Sequence, residues 1–303
     1  MNSNSPSTGA DPAKALKELA PSKDFFVGID SDGCVFDSME IKHKECFCPQ
    51  FVNHYGLQAV SKYAREAWEF VNLYSKTRGV NRFLAVTRSL DLLNNRQEIK
   101  TRVGSVTILQ GVRDWAQRET KLGNPALKAE LERNPNADLK LAYAWSLEVN
   151  ETIAKIVHNV PPFPLVRECL TKITETADAI VVSQTPFEAL QREWDEHNLS
   201  SFARTIAGQE MGTKTEHLGY VAKGRYDPEK ILMIGDAPGD LKAGRANGTL
   251  FFPVNPGAEE ESWKRLYDEG LGRFFQGTYA GDYEKSLIEE FDKHLPELPP
   301  WEA

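Results

Sequence analysis

Apolar residues along this chain fall into short runs, separated by turn residues and by longer stretches of helical spacing. Four runs, at 25–29, 179–182, 231–234 and 249–254, have the length and branched or aromatic content of buried parallel strands. A weaker run lies at 205–207. Helical patterns stand between most of them, which predicts an α/β fold built on a doubly wound, Rossmann-like parallel sheet. Such sheets bind ligands at the carboxyl ends of their strands. The residues that follow each run are therefore where chemistry is expected.

One interval breaks the alternation. From about 41 to 159 the spacing is helical almost throughout. Val60, Tyr63, Ala64, Ala67, Trp68 and Val71 share one helical face, and Leu139, Ala142, Tyr143 and Leu147 form a second stripe. The interval separates the first strand from the second, so it reads as an inserted helical domain. Pro161, Pro162 and Pro164 mark the return to the sheet. The expected division is a flexible tail over 1–21, a core from 22–40 and 160–303, and a helical cap over 41–159.

Charge and composition narrow the partners. A net charge of −8 argues against general affinity for nucleic acid or anionic membrane. It leaves room for a small anionic substrate at a site where a metal or a few cations invert the field. No apolar run is long enough to span a bilayer, and the N-terminus lacks the apolar segment of a signal peptide. Cys34, Cys46, Cys48 and Cys169 lack CxxC spacing. Reduced thiols in a cytoplasmic protein are the simplest expectation.

The first strand ends in Asp30-Ser31-Asp32-Gly33. Two carboxylates two residues apart, at the open end of a buried strand, repel each other, and a divalent cation would relieve that repulsion. Gly33 allows a sharp departure of the backbone. A plain acidic turn would carry the same residues. The second strand ends in Ser183-Gln184, where the hydroxyl serves equally as a phosphate donor or as a turn serine. The fourth strand runs into Gly235-Asp236-Ala237-Pro238-Gly239-Asp240, ahead of a helix expected to begin near Leu241. Asp240 fits an N-cap as well as a ligand. Asp236 directly follows an apolar strand and has no capping role. Carboxylates with room for water and phosphate suit Mg²⁺.

Lys214, at the start of a helix, is placed to balance a phosphate and a carboxylate together, although a solvated surface lysine needs no such role. Lys223 competes but lies closer to the next strand. The segment 208–215 approaches a P-loop, yet Thr213 stands where that pattern requires glycine.

The ordered set Asp30-x-Asp32-Gly33, Ser183, Lys214 and Gly235-Asp236-x-x-x-Asp240 resembles the haloacid dehalogenase superfamily of phosphatases and phosphotransferases. The resemblance covers roughly 22–40 and 160–256, and the helical insert matches the position of that family's cap. It implies that Asp30 is the nucleophile forming an aspartyl-phosphate and that Asp32 is the general acid and base. It implies that Ser183 and Lys214 hold the transferring phosphoryl group. It further implies that Asp30, the Asp32 carbonyl and Asp236 hold Mg²⁺, with Asp240 as a further ligand or as a partner that orients the ligands. Retention of Asp32 favours C–O–P chemistry over dehalogenation. Cys34 replaces the usual threonine after Gly33.

The implied reaction is Mg²⁺-dependent hydrolysis of a small phosphorylated metabolite, with no nucleic-acid or membrane partner. A phosphomutase on the same core is the alternative, and a non-catalytic binding protein a more distant one. A receiver-like signalling domain also phosphorylates an aspartate, but it lacks the second acidic cluster so far along the chain. Gly33 and Gln184 are expected to line the substrate site. Arg78, Asn81 and Arg82 are expected to read the substrate from the cap, with Arg78 and Arg82 on one helical face and guanidinium forks suited to carboxylate or phosphate. His43 and Lys44 lie just past the first motif, within reach of the site from a hinge.

Overall fold

A computed structural model describes residues 11–302. The chain forms two units. One comprises the chain up to Asp37 together with Pro161–Phe291, and the other comprises Ser38–Val160 and the stretch from Asp292 onward.

The first unit is built on a five-stranded, all-parallel sheet. Its strands are β1 (Phe25–Ile29), β2 (Ala177–Val182), β3 (Ile206–Ala207), β4 (Ile231–Gly235) and β5 (Leu250–Pro253), in the order β3-β2-β1-β4-β5. Near-continuous burial of β2, β4 and β5 accounts for their unbroken apolar runs. The chain winds outward from β1 through β2 to β3, then returns to the other side of β1 to form β4 and β5. The reversal lies between β1 and β4, where open sheets of this kind form their ligand crevice. Ile29 pairs with Val181 on one side and with Ile234 on the other.

Strand β2 begins two residues earlier than its apolar run, because it includes Asp178. That carboxylate is 2% exposed. It accepts hydrogen bonds from Ser22 N–H (2.7 Å), Ser22 Oγ (2.5 Å), Lys23 N–H (3.0 Å), Arg204 Nη1 (3.0 Å) and Tyr226 Oη (2.8 Å). Five donors offset the cost of burying the charge.

The expected tail is corrected in part. Residues 1–10 lie outside the described residues. Residues 14–18 form a short helix, Lys14–Glu18, with Leu16 fully buried. Arg225 ties down its end by donating to the Lys17 and Leu19 carbonyls, each at 2.6 Å.

The second unit is helical. Trp68, Trp115, Trp145, Phe51 and Phe83 are almost wholly buried at its centre. The Ser61–Asn72 helix buries Ala64, Ala67, Trp68 and Val71, as its spacing predicts. In the Ala137–Ile156 helix the buried face is Leu139, Ala142, Trp145, Ser146 and Val149, while Leu147 is exposed. The expected stripe through Tyr143 and Leu147 is therefore rotated, because the large Trp145 ring claims the interior.

The sequence pattern carries the core through to 303, whereas the stretch from Asp292 onward belongs to the helical unit. Lys76 N–H donates to the Pro296 carbonyl at 3.3 Å, and Lys76 Nζ pairs with Asp292. The Trp301 ring lies 4.3 Å below the Arg96 guanidinium and 5.8 Å from Phe70. Phe70, Tyr74, Pro296, Pro300 and Trp301 wall a cavity of about 570 Å³. Pro and Trp letters carry no periodicity, so this docking left no trace in the pattern.

Candidate active site

The carboxyl ends of β1 and β4 bring three aspartates together. Asp30 continues β1 by one residue, its N–H donating to the Ile234 carbonyl at 3.0 Å. Register places Asp236 two residues past the Ile29–Ile234 pair and Ser183 two residues past the Ile29–Val181 pair. Asp236 and Ser183 thus flank Asp30-Ser31 from either side of the strand. Asp30, Asp236 and Asp240 are 4%, 1% and 0% exposed. One carboxylate oxygen from each lies within 4.8 Å of those of the other two.

Asp240 arrives by a different route from the one expected. The helix begins at Pro238 rather than near Leu241, since proline is favoured in the first turn, where its missing N–H costs nothing. Asp240 sits in that first turn and accepts the Ala237 N–H at 3.1 Å. Gly235 makes this approach possible: a Cβ there would lie 2.4 Å from the Asp240 Cβ. The expected N-cap role is replaced by a bond back to the residue before the helix.

Lys214 opens the Lys214–Val221 helix, whose end is fixed by Thr213 and Glu216 in a reciprocal capping box. Its ammonium lies 2.7 Å from Asp30 Oδ2 and 2.5 Å from Asp240 Oδ1. Lys223 is exposed beyond the end of this helix, which leaves Lys214 as the lysine of the cluster.

The electrostatics follow from burial. Asp30 is pushed well above the usual carboxylate range by loss of solvent; Lys214 opposes the shift, and Asp240 and Asp236 add to it. Asp240 is raised for the same first reason. Burial works against the Lys214 ammonium, but the Asp240 and Asp30 carboxylates outweigh it and hold the charge. Three carboxylates around one ammonium leave negative charge in excess, in a place with little water to disperse it. A divalent cation with hard oxygen preferences fits this donor set.

The loop after β1 is held from several directions. Gly33 adopts φ 74°, in the region open to glycine, and its N–H donates to the Phe36 carbonyl at 2.8 Å. Trp194 Nε1 donates to Ser31 Oγ at 3.0 Å, and Trp263 Nε1 donates to the Cys34 carbonyl at 2.7 Å. Cys34 is fully buried, and burial pushes its thiol up well above the usual range, so it is not a thiolate nucleophile.

Asp32 Oδ2 accepts from Thr185 Oγ1 at 2.7 Å. Thr185 is a site residue that sequence reasoning missed; its only signal was its place two residues after Ser183. Ser183 is 2% exposed, and its Oγ accepts the Thr185 N–H at 3.2 Å, which leaves its own proton to donate. Gln184 donates to the Gly212 carbonyl at 3.0 Å and so links the β2 loop to the Lys214 loop.

The residues expected to read substrate from the cap lie in the helical unit and are engaged there. Arg78 is buried and donates through Nη1 to the Leu73 carbonyl at 2.8 Å. Asn81 caps the Arg82–Asn95 helix by accepting the Phe83 N–H at 3.0 Å, and donates to the Leu122 carbonyl at 2.9 Å. Arg78 precedes that helix and is cut off from it by Gly79 at φ 77°, so Arg78 and Arg82 do not share a helical face. His43 stacks on Phe47 with centroids 4.8 Å apart, and Lys44 pairs with Glu40.

No protein-family model and no curated protein matches the chain. Solved structures do resemble it. A haloacid dehalogenase-like family hydrolase from Streptococcus pneumoniae is 12% identical, over 79% of this chain and 90% of its own, with a TM-score of 0.45. A candidate phosphoglycolate phosphatase from Lactobacillus delbrueckii is 14% identical, over 81% and 92%, with a TM-score of 0.47. A haloacid dehalogenase-like family hydrolase from Xanthomonas campestris is 14% identical, over 83% and 95%, with a TM-score of 0.41.

Proposed function

We propose that this chain is a phosphohydrolase of the haloacid dehalogenase type, transferring the phosphoryl group of a small phosphomonoester to Asp30 and then to water. The observation that carries this reading is the Lys214 ammonium between Asp30 and Asp240, beside Asp236, at the carboxyl ends of β1 and β4.

Asp30 Oδ attacks phosphorus, and the bond to the leaving oxygen breaks. Asp32, oriented by Thr185, delivers a proton to that oxygen. Lys214 and Ser183 supply donors where charge gathers on the transferring group. In the second half, Asp32 takes a proton from the attacking water, which releases phosphate and restores the Asp30 carboxylate. Dividing hydrolysis into two displacements lowers the barrier to each. Asp30, Asp236, Asp240 and the Asp32 carbonyl would hold Mg²⁺, which when bound neutralises the phosphoryl oxygens that a carboxylate nucleophile must approach.

The test is brief exposure to phosphomonoesters labelled at phosphorus, with Mg²⁺, followed by acid quench and peptide mapping. Label on the peptide containing Asp30, absent in Asp30→Asn, is expected. Label elsewhere, or full turnover by Asp30→Asn, sinks the mechanism. Product analysis separates hydrolysis from a mutase, which conserves organic phosphate.

A further inference from the structure

Several arginines of the helical unit meet a carboxylate. Arg96 reaches Glu66 and Glu98, Arg113 reaches Asp91, and Arg118 and Arg133 both reach Glu130. Arg82 does not. Its guanidinium lies 5.0 Å from the centre of the Phe47 ring. A single nitrogen, Nη1, donates to three neutral oxygens: Asn150 Oδ1 at 2.7 Å, Ser146 Oγ at 3.0 Å and the Ser146 carbonyl at 3.4 Å. Burial pushes Arg82 down to about 10, and no neighbouring acid opposes the shift.

A guanidinium partly withdrawn from water without a counter-charge is costly. This chain has acids to offer, 44 against 36 basic residues, yet among the described residues none pairs with Arg82. The side chain is held by one nitrogen only. Its Nε and Nη2 donate to no described residue and are not sealed from solvent. That edge is the one through which arginine grips an oxyanion by two parallel hydrogen bonds. Arg82 also opens a 14-residue helix, whose positive pole adds to the local field.

We propose that Arg82 anchors an oxyanion site in the helical unit, which takes a carboxylate or phosphate group of a small molecule. Asn150 and Ser146 hold one edge of the guanidinium, Phe47 supports its face, and the open edge receives the anion. The occupant is a small free anion, and the site stands independently of the phosphoryl-transfer reading.

The experiment is calorimetric titration of the full chain with inorganic sulfate in EDTA, where the unneutralised aspartate cluster repels the anion. Saturable binding is expected, weakened about tenfold or more in Arg82→Gln and largely retained in Arg82→Lys. Wild-type protein that takes up no sulfate overturns the site. So does a folded Arg82→Gln that binds as wild type does. If Arg82→Gln does not fold, Asn150→Ala decides: loosening the guanidinium must weaken binding, and unchanged affinity counts against the site. Failure of every phosphomonoester would sink the catalytic reading and leave the sulfate titration to judge Arg82.

Discussion

Lys214 Nζ sits 2.7 Å from Asp30 Oδ2 and at the same time bonds Asp240, so one ammonium balances the carboxyl ends of two neighbouring strands. This relationship fixes how the cluster should respond when either partner is changed.

Replacing Lys214 with methionine keeps the bulk of the side chain and removes the charge. Three buried carboxylates then stand unbalanced. A loss of about 3–5 kcal/mol in metal-free protein is expected, much of it recovered when Mg²⁺ is added. Turnover should fall roughly 10²–10³-fold. Urea unfolding with and without Mg²⁺ is the measurement, and metal-free Lys214→Met as stable as wild type would contradict the balance described.

Mg²⁺ itself should stabilise the fold. At a hundredfold excess over its dissociation constant the gain is about 2.7 kcal/mol, visible as a raised melting temperature by calorimetry. Asp236→Asn should abolish most of the gain. Asp227→Asn, at an exposed acid paired with Lys230, should leave it intact.

Asp178 should matter to stability without touching catalysis. Asp178→Ala removes the acceptor of five donors and is expected to cost about 3 kcal/mol. Burial raises this carboxyl, but the Ser22, Tyr226 and Lys23 hydrogen bonds outweigh it and hold it below its ordinary 3.8. The depressed group stabilises the fold above pH 3.8, and that contribution is lost as pH falls further. Denaturant midpoints of wild type and variant should therefore converge only below that value.

His217 predicts a second acid limb at higher pH. It is fully buried in the Lys214–Val221 helix, and burial pushes its imidazole down from 6.5 to about 4. The unfolded chain takes up a proton there before the folded one does. Its contribution is complete above pH 6.5 and declines as pH falls toward 4, by about 3 kcal/mol in all. The stability difference between wild type and His217→Leu should change across that window. A difference that stays flat from pH 7 to 4 would show that His217 does not titrate as a buried neutral base.

Much of the sheet was legible because parallel strands buried on both faces leave unbroken apolar runs. The run at 25–29 coincides with β1. Asp178 hid the start of β2, because its partners, Ser22, Lys23, Arg204 and Tyr226, are scattered along the chain. Asp30 and Asp236 could be brought together from sequence, since adjacent parallel strands end on the same rim. Asp240 stood open between a cap and a ligand, because the chain does not announce that the helix begins at Pro238 or that Gly235 clears a path for its side chain. Lys214 came from its place at the start of a helix, where a solvated surface lysine reads the same, and the order of motifs singled it out. Thr185 left no signal of its own, since a hydroxyl beside a proline reads as an ordinary turn. The cap arginines shared a spacing that holds only inside a helix, and the helix starts at Arg82.

The docking of Trp301 against Arg96 and Phe70 has a consequence for how this protein can be rearranged. An insert bounded by 38 and 160 would be a cassette, free to be exchanged or excised at two cuts. Here the helical unit owns a second stretch, beginning at Asp292, beyond the residues of the sheet unit. A graft of residues 38–160 into another scaffold would leave behind the Trp301 and proline walls of its cavity. Any rearrangement of this chain must therefore move the two pieces together or lose the fit between them.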